Sequence, residues 1–173
     1  MGLAYEVKKL SFPTDAAYRQ LNPLGSVPFL EDGNVRMNES SAMLIYLAER
    51  YGPTSLLPDR TSPHFARALQ MTVFSEATLG ASLNVQMEAR FAAPEADKGN
   101  WSARAQAGRT DKALAFVEEM LGDQPYLTGD APSIADLAIV TAIGMRQGAL
   151  GLAPSEKLSA YRERLVARPA YGR

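Results

Sequence analysis

The sequence predicts a small α/β unit followed by an all-helical one, and three observations carry that expectation. Short apolar runs broken by turn residues fill roughly the first fifty positions, whereas from Pro63 onward the apolar spacing is helical, with no convincing strand. Between the two lie Pro53, Pro58 and Pro63 with small polar residues among them, the composition of a stiff linker. Each half also opens a helix with a recognisable start, Asn38-Glu39-Ser40-Ser41 in the first and Ser133-Ile134-Ala135-Asp136 in the second. The expected organisation is residues 1–52, a linker over 53–63 that Leu56 and Leu57 pin to one of the units, and residues 64–173.

In the first unit, Ala4 to Leu10 alternates loosely, Tyr5, Val7 and Leu10 against Glu6, Lys8 and Lys9, and reads as a strand. Thr14 or Asp15 caps a short helical turn through Leu21, which Asn22-Pro23 stops. A tight segment, Asn22-Pro23-Leu24-Gly25-Ser26-Val27-Pro28, leads into a short apolar strand from Val27 to Leu30. Asp32-Gly33 is a two-residue hairpin signal, and Val35 to Met37 is the returning strand. A helix from Glu39 to Arg50 has Ala42, Ile45, Tyr46 and Glu49 at helical spacing, with Met43 and Leu47 broadening the face. Tyr51-Gly52-Pro53 ends it.

In the second unit, Ala66, Leu69, Val73, Ala77, Gly80, Asn84 and Met87 form a nearly continuous stripe at helical spacing. Residues 93–101 read as a loop, with Trp101 covering the helix that follows, Ser102 to Leu121, which Gly122 ends. That helix buries Ala113, Leu114, Phe116, Val117, Met120 and Leu121. After a turn at Tyr126-Leu127-Thr128-Gly129-Asp130, Ser133 and Asp136 outline a capping box. The helix it opens is apolar on most sides (Ile134, Leu137, Ile139, Val140, Ile143), which places it at the centre of a bundle. Ser155 to Ala167 is the last helix. His64 reads as a surface helix start, Met71 and Met87 as packing residues, and Arg162, Glu163 and Arg164 as a solvated face.

Composition excludes more than it assigns. Lys and Arg number 18 against 19 Asp and Glu, so neither a basic surface for nucleic acid nor a solvating acidic tail is expected. Cysteine is absent and His64 is the single histidine, which excludes disulfides, a cysteine nucleophile and a His/Cys metal cluster. The most apolar run, Ile134 to Met145, is interrupted by Asp136 and falls short of the ~20 residues that span a bilayer. Met1 to Leu10 is too short and mixed for a signal peptide, and Glu6 stands where a myristoylation motif has Ser or Thr. A soluble, cytoplasmic protein that engages neither nucleic acid nor membrane is the expectation.

What the residues do offer is a place for a small ligand. A helix N-terminus at Glu39-Ser40 receives carboxylates on its amides and the serine hydroxyl, and Glu39 is an acceptor for an ammonium group. If the Val27-Pro28 bond is cis, the turn leaves the Val27 N–H and C=O to pair with an extended peptide. Taken singly, each has a plainer reading: a trans proline starting an edge strand at Pro28, and ordinary capping at Glu39 and Ser40.

Together these residues resemble the glutathione-binding half of the glutathione transferase family. Its signature is an Asn-Pro, a Val-Pro (usually cis), an Asp-Gly-type turn and a Glu-Ser pair opening a helix. All four occur here in order, as Asn22-Pro23, Val27-Pro28, Asp32-Gly33 and Glu39-Ser40. The second unit carries the family's Ser-x-x-Asp at its central helix and a similar ending, Arg168-Pro169-Ala170-Tyr171, so the resemblance runs from Leu3 to Tyr171. It implies a thioredoxin-like domain followed by a helical bundle, conjugation of the glutathione thiolate to a small electrophile without metal or cofactor, and a homodimer. By the same resemblance Val27 and Pro28 hold the cysteinyl backbone, Ser40 the γ-glutamyl carboxylate, and Glu39 the α-ammonium.

Three departures accompany the resemblance. Gly25 stands where several members carry a side chain that reaches the glycyl carboxylate, and Ser41 where some carry arginine. The family's first strand and helix, which precede the segment beginning here at Leu3, have no counterpart in the sequence, so the first domain is expected to be incomplete. With them goes the Tyr, Ser or Cys that stabilises the thiolate, leaving the catalytic residue unassigned; Tyr5 and Ser11 are the nearest hydroxyls in sequence. Lowering a thiol pKa of ~8.5 by about two units takes about 2.7 kcal/mol of selective stabilisation. The rival readings are a noncatalytic adaptor and a glutathione-dependent reductase or isomerase on the same fold.

Overall fold

The first regular element is set by one side chain. In the computed structural model, which describes residues 1–11 and 13–171, the Asp15 carboxylate accepts the Tyr18 amide at 2.7 Å and caps helix α1 (Ala16–Leu21). The Asn22 amide still reaches the Tyr18 carbonyl at 2.8 Å, and Pro23, having no N–H, carries the helix no further.

Strand β1 (Leu30–Asp32) pairs antiparallel with β2 (Val35–Met37), with Leu30 opposite Met37, Glu31 opposite Arg36 and Asp32 opposite Val35. The two-residue loop is therefore Gly33-Asn34, one position later than the Asp32-Gly33 signal suggests. Gly33 takes φ 59°, a left-handed value suited to glycine. β1 opens at Leu30 rather than Val27, because Pro28 has no amide to give to a ladder. The expected strand Ala4–Leu10 does not form. Its residues are exposed, and the one sheet among the described residues is the β1–β2 pair. An alternating sequence holds as a strand only where a neighbour takes its backbone hydrogen bonds, and none of the described residues pairs with it.

Helix α2 (Ser40–Arg50) buries Ser41, Met43 and Ala48, while Ala42 and Glu49 of the anticipated face lie exposed. Asp32 ties the hairpin to this region: it accepts the Tyr51 hydroxyl at 2.7 Å and the Tyr46 hydroxyl at 2.8 Å. The Tyr51 bond first, and then the Tyr46 bond, hold the Asp32 carboxyl below its ordinary value, and the same bonds raise both phenols.

The chain divides between Thr54 and Ser55. The Leu56 carbonyl accepts the Ile134 amide at 2.8 Å, which fastens this part of the linker to the helical unit. That unit consists of α3 (Pro63–Phe74), a π-helical turn over Ser75–Gly80, α4 (Ala81–Phe91), α5 (Trp101–Leu121), α6 (Ile134–Leu150) and α7 (Glu156–Val166), with a 3₁₀ turn at Glu95–Asp97. Its core is a single cluster that includes Met71, Leu79, Leu83, Val117, Leu121, Ile139, Ile143, Leu158 and Leu165. Among the described residues no helix is long and apolar enough to cross a membrane.

The buried face of α3 and α4 is not the anticipated stripe. Ala66, Val73, Ala77 and Asn84 are exposed, whereas Ala68, Met71, Thr72, Ser75, Leu79, Ser82, Leu83 and Gln86 are buried. The polar members of that face are satisfied locally. Thr72 donates to the Ala68 carbonyl at 2.7 Å, Ser75 to the Thr72 carbonyl at 2.7 Å, and Ser82 to the Leu79 carbonyl at 2.9 Å. Gln86 Nε2 donates to Thr110 Oγ1 at 2.6 Å across to α5. Hydroxyls that bond back along their own helix enter a core without an orphaned group. Gly80 belongs to the π turn itself: a Cβ there would lie 3.0 Å from the Ser75 carbonyl oxygen.

Two further expectations are corrected. Trp101 opens α5 rather than ending a loop, since Asn100 Oδ1 accepts the Ala103 amide at 3.0 Å, and the residue is 76% exposed rather than packed over the helix. Arg162 is not part of a solvated face. Its Nε is buried without a partner among the described residues, and its guanidinium sits 3.6–3.7 Å from where a Cβ on Gly144 would be, so α6 and α7 meet through a glycine. Met71 is fully buried packing, and His64 is the second residue of α3.

The capping box at α6 does more than cap. Asp136 is fully buried; its Oδ2 accepts the Ser133 amide at 2.7 Å and hydroxyl at 2.8 Å, and its Oδ1 accepts the Leu127 amide and the Tyr161 hydroxyl, both at 2.8 Å. One side chain thus joins the 126–129 turn, the start of α6 and the middle of α7. Asp136→Ala leaves four buried donors without an acceptor and is expected to cost about 3–5 kcal/mol, read from urea unfolding of the helical unit. Burial, and then Asp136, push the Tyr161 phenol well above its usual value. The unfolded chain therefore gives up this proton first. Stability present below about pH 10 is expected to fall as pH rises beyond it, with a shallower slope in Tyr161→Phe.

Candidate ligand-binding site

Four sequence-predicted residues, Val27, Pro28, Glu39 and Ser40, lie on either side of one hydrogen bond. Ser26 Oγ donates to Asn38 Oδ1 at 3.3 Å, which ties the residue before Val27 to the residue before Glu39. Around this tie the Val27-Pro28 peptide is cis, and Val27 is 47% exposed.

The direction in which Val27 presents its amide follows from the peptide plane it shares with Ser26. The Ser26 carbonyl accepts the Tyr18 hydroxyl at 2.5 Å and Asn22 Nδ2 at 2.8 Å. Across a trans peptide the C=O and N–H point to opposite sides, so anchoring the carbonyl on α1 and its C-cap turns the Val27 N–H away from them. Among the described residues neither the Val27 N–H nor its C=O has a hydrogen-bond partner. An amide and a carbonyl so placed can pair with an extended backbone in the manner of an added strand.

Glu39 is the N-cap of α2 and adopts φ 70°, ψ 99°. It is the one non-glycine residue with positive φ among the described residues, a conformation that costs of order 1–3 kcal/mol. Its carbonyl accepts the Met43 amide at 3.0 Å, while its side chain makes no capping bond. Glu39 is thus an exposed residue beside the first turn of an eleven-residue helix, where the amide dipoles favour anions. The arrangement offers a cation acceptor and a helix N-terminus at Glu39-Ser40 and an unpaired backbone edge at Val27, linked through the Ser26–Asn38 bond, a set suited to a small zwitterionic peptide.

Tyr5 and Ser11, the nearest hydroxyls in sequence to the unassigned position, lie on the exposed stretch before α1. Sequence reasoning gave Tyr18 no role and read Asn22 only as a helix stop and part of the Asn-Pro signature, not as an anchor of the Ser26 carbonyl. The signal was the spacing of Tyr18 and Asn22, one helical turn apart, with Nδ2 of Asn22 also donating to the Tyr18 hydroxyl at 3.1 Å. Among the described residues no group of three or more His, Cys, Asp or Glu gathers to hold a metal. In the helical unit a separate groove of about 630 Å³ is lined by Phe74, Ala81, Val85, Arg109, Lys112 and Phe116, and holds none of the four candidate residues.

Comparison with known proteins agrees with both halves of this description. The glutathione S-transferase N-terminal domain model matches residues 1–55, and the C-terminal domain model matches residues 80–169. The chain belongs to the glutathione S-transferase family. It is 33% identical over 164 residues to human glutathione S-transferase theta-2, covering 87% of this chain and 64% of that protein. It is also 33% identical over 125 residues to an Arabidopsis thaliana glutathione S-transferase, covering 68% of this chain and 47% of the relative. The chain thus spans about half to two thirds of the length of these curated relatives.

Among solved structures it is similar to a theta class glutathione S-transferase from Xanthomonas axonopodis pv. citri, determined with glutathione bound. The TM-score is 0.79 at 29% identity, over 98% of this chain and 84% of that one. A bacterial transferase, BphK, solved as a ternary complex, gives a TM-score of 0.75 at 25% identity over 90% and 75% of the two chains. The fold is therefore that of the family, a thioredoxin-like region with a two-stranded sheet followed by a helical domain.

Glu39→Gly relieves the positive φ and is expected to stabilise the first unit by about 1 kcal/mol, whereas Glu39→Ala keeps the strain and is not. Equilibrium urea unfolding of the two variants checks this.

Proposed function

We propose that this chain binds glutathione through Val27, Pro28, Glu39 and Ser40 and conjugates its thiolate to a small electrophile, with no metal or cofactor. The observation that carries the reading is the outward-facing Val27 backbone beside the Asn38–Ser26 tie. The cysteinyl N–H and C=O of the tripeptide pair with Val27. The γ-glutamyl carboxylate sits on the first turn of α2 at Ser40, and the α-ammonium on Glu39. Pro28 holds the turn. In the reaction the thiol loses its proton to solvent, the sulfur attacks the electrophilic carbon to form a C–S bond, and the leaving group departs with its bonding pair. A homodimer in the cytoplasm completes the proposal.

A second reading, a noncatalytic adaptor on this fold, is favoured by one observation. Tyr18, the hydroxyl beside the Val27 turn, already gives its proton to the Ser26 carbonyl and so is not free to donate to a thiolate.

Titration calorimetry with glutathione tests the shared part. Ser40→Ala and Glu39→Gly are each expected to weaken binding about tenfold or more, Glu39→Gly despite its gain in stability. Wild-type protein that gives no heat and is not retained on immobilised glutathione would falsify the site. Binding with no conjugation of a chlorodinitrobenzene probe selects the adaptor, and light scattering reads the dimer.

A further inference from the structure

Glutathione carries two carboxylates and one ammonium. The site described above supplies a partner for one carboxylate and for the ammonium, which leaves the glycyl carboxylate. We propose that Arg19, on α1, is the cation that takes it, an inference that rests on the glutathione reading of the site.

Gly25 has φ 63°, and a Cβ there would lie 3.1 Å from Thr14 Oγ1 and 3.7–3.8 Å from Cγ and Nε of Arg19. The space beside Gly25 is thus already filled by the arginine stem. A clasp fixes it there: Arg19 Nη2 donates to the Thr14 carbonyl at 2.6 Å, and Thr14 Oγ1 donates to the Gly25 carbonyl at 3.3 Å. The remaining guanidinium N–H groups have no acceptor among the described residues, and Arg19 has no carboxylate partner there. The other cations of this unit are placed differently. Lys8 and Lys9 lie on the exposed segment before α1, Arg36 pairs with Glu31 at 3.3 Å, and Arg50 lies over the Tyr51 ring. Arg19 is the cation that the fold holds against the Asn22–Pro28 loop.

Direction follows from pairing. A peptide antiparallel to the chain at Val27 runs its C-terminal end towards Ser26 and Gly25, and one residue of extended backbone covers ~3.3–3.6 Å. A glycyl carboxylate one residue beyond the paired cysteine therefore arrives beside Gly25, where the guanidinium can meet it with two N–H donors. The charge comes from a helix two turns of chain earlier instead of from a side chain at position 25.

Calorimetry of the full chain with glutathione and with its glycinamide analogue, in which the terminal carboxylate is a carboxamide, separates the roles. Arg19→Gln is expected to weaken glutathione binding by about tenfold or more while leaving the analogue within about twofold, and Arg19→Lys to keep part of the wild-type preference for the carboxylate. Equal losses for both ligands in Arg19→Gln, with no carboxylate preference in Arg19→Lys, assign Arg19 to structure alone and overturn the inference. So does unchanged glutathione affinity in Arg19→Gln. A wild type that binds the analogue as tightly as glutathione overturns the inference but leaves the site standing, whereas one that binds neither removes both.

Discussion

The orientation of one peptide plane governs what the first unit can do. Residues 22–29 form no regular element, so nothing in a helix or sheet ladder decides which way the Val27 amide faces. Tyr18 and the fully buried Asn22 decide it by holding the Ser26 carbonyl from the far side. This gives α1 its purpose. A helix of six residues is too short to be stable by itself, and it buries no residue of its own. What it contributes is delivery: its turn brings Tyr18, Arg19 and the following Asn22 against one loop, and Asp15 and Pro23 set where it starts and stops.

The helical unit uses the same economy at Asp136. A helix start, a turn and a neighbouring helix each bring a donor that the core would otherwise leave unpaired, and two oxygens serve all four. The contrast between the units lies in how much apolar packing backs such polar nodes. Around Asp136 stand Leu127, Ile134, Ile139, Leu158 and Leu165, all buried. In the first unit the buried apolar side chains among the described residues are Met43 and Ala48, and many others, among them Leu3, Leu10, Leu24 and Val27, remain exposed. The geometry of the smaller unit therefore depends on hydrogen bonds and turn residues more than on area removed from water.

Local punctuation was legible in the sequence, and tertiary faces were less so. Asp15, Pro23, the Gly33 region, Glu39-Ser40, Gly122 and the Ser133–Asp136 box announced element ends because each acts on a neighbouring backbone group. Motif reading named Val27, Pro28, Glu39 and Ser40, and the Ser26–Asn38 bond joins the residues that precede Val27 and Glu39. Ala4–Leu10 misled because alternation is necessary for a strand but a partner completes it. The stripe through Ala66 and Val73 misled because it passes over Thr72, Ser75, Ser82 and Gln86, polar residues whose hydrogen bonds are made inside the core. The Tyr18–Ser26 and Arg19–Thr14 contacts are invisible in the sequence, since they depend on where a loop folds back and not on any residue beside them in the chain.

A single deletion between Ser75 and Gly80 would not be a local event. The wide turn there joins two stretches that serve different neighbours, α3 lying against α6 and α4 against α5. Each residue of an α-helix advances the azimuth by about 100°, so restoring regular winding would swing Ser82 and Gln86 off Thr110 and present an unrelated flank of all eleven α4 residues to α5. The surplus residue keeps two interfaces in phase along one rod, and length in this segment is consequently held more tightly than the identity of its outward side chains.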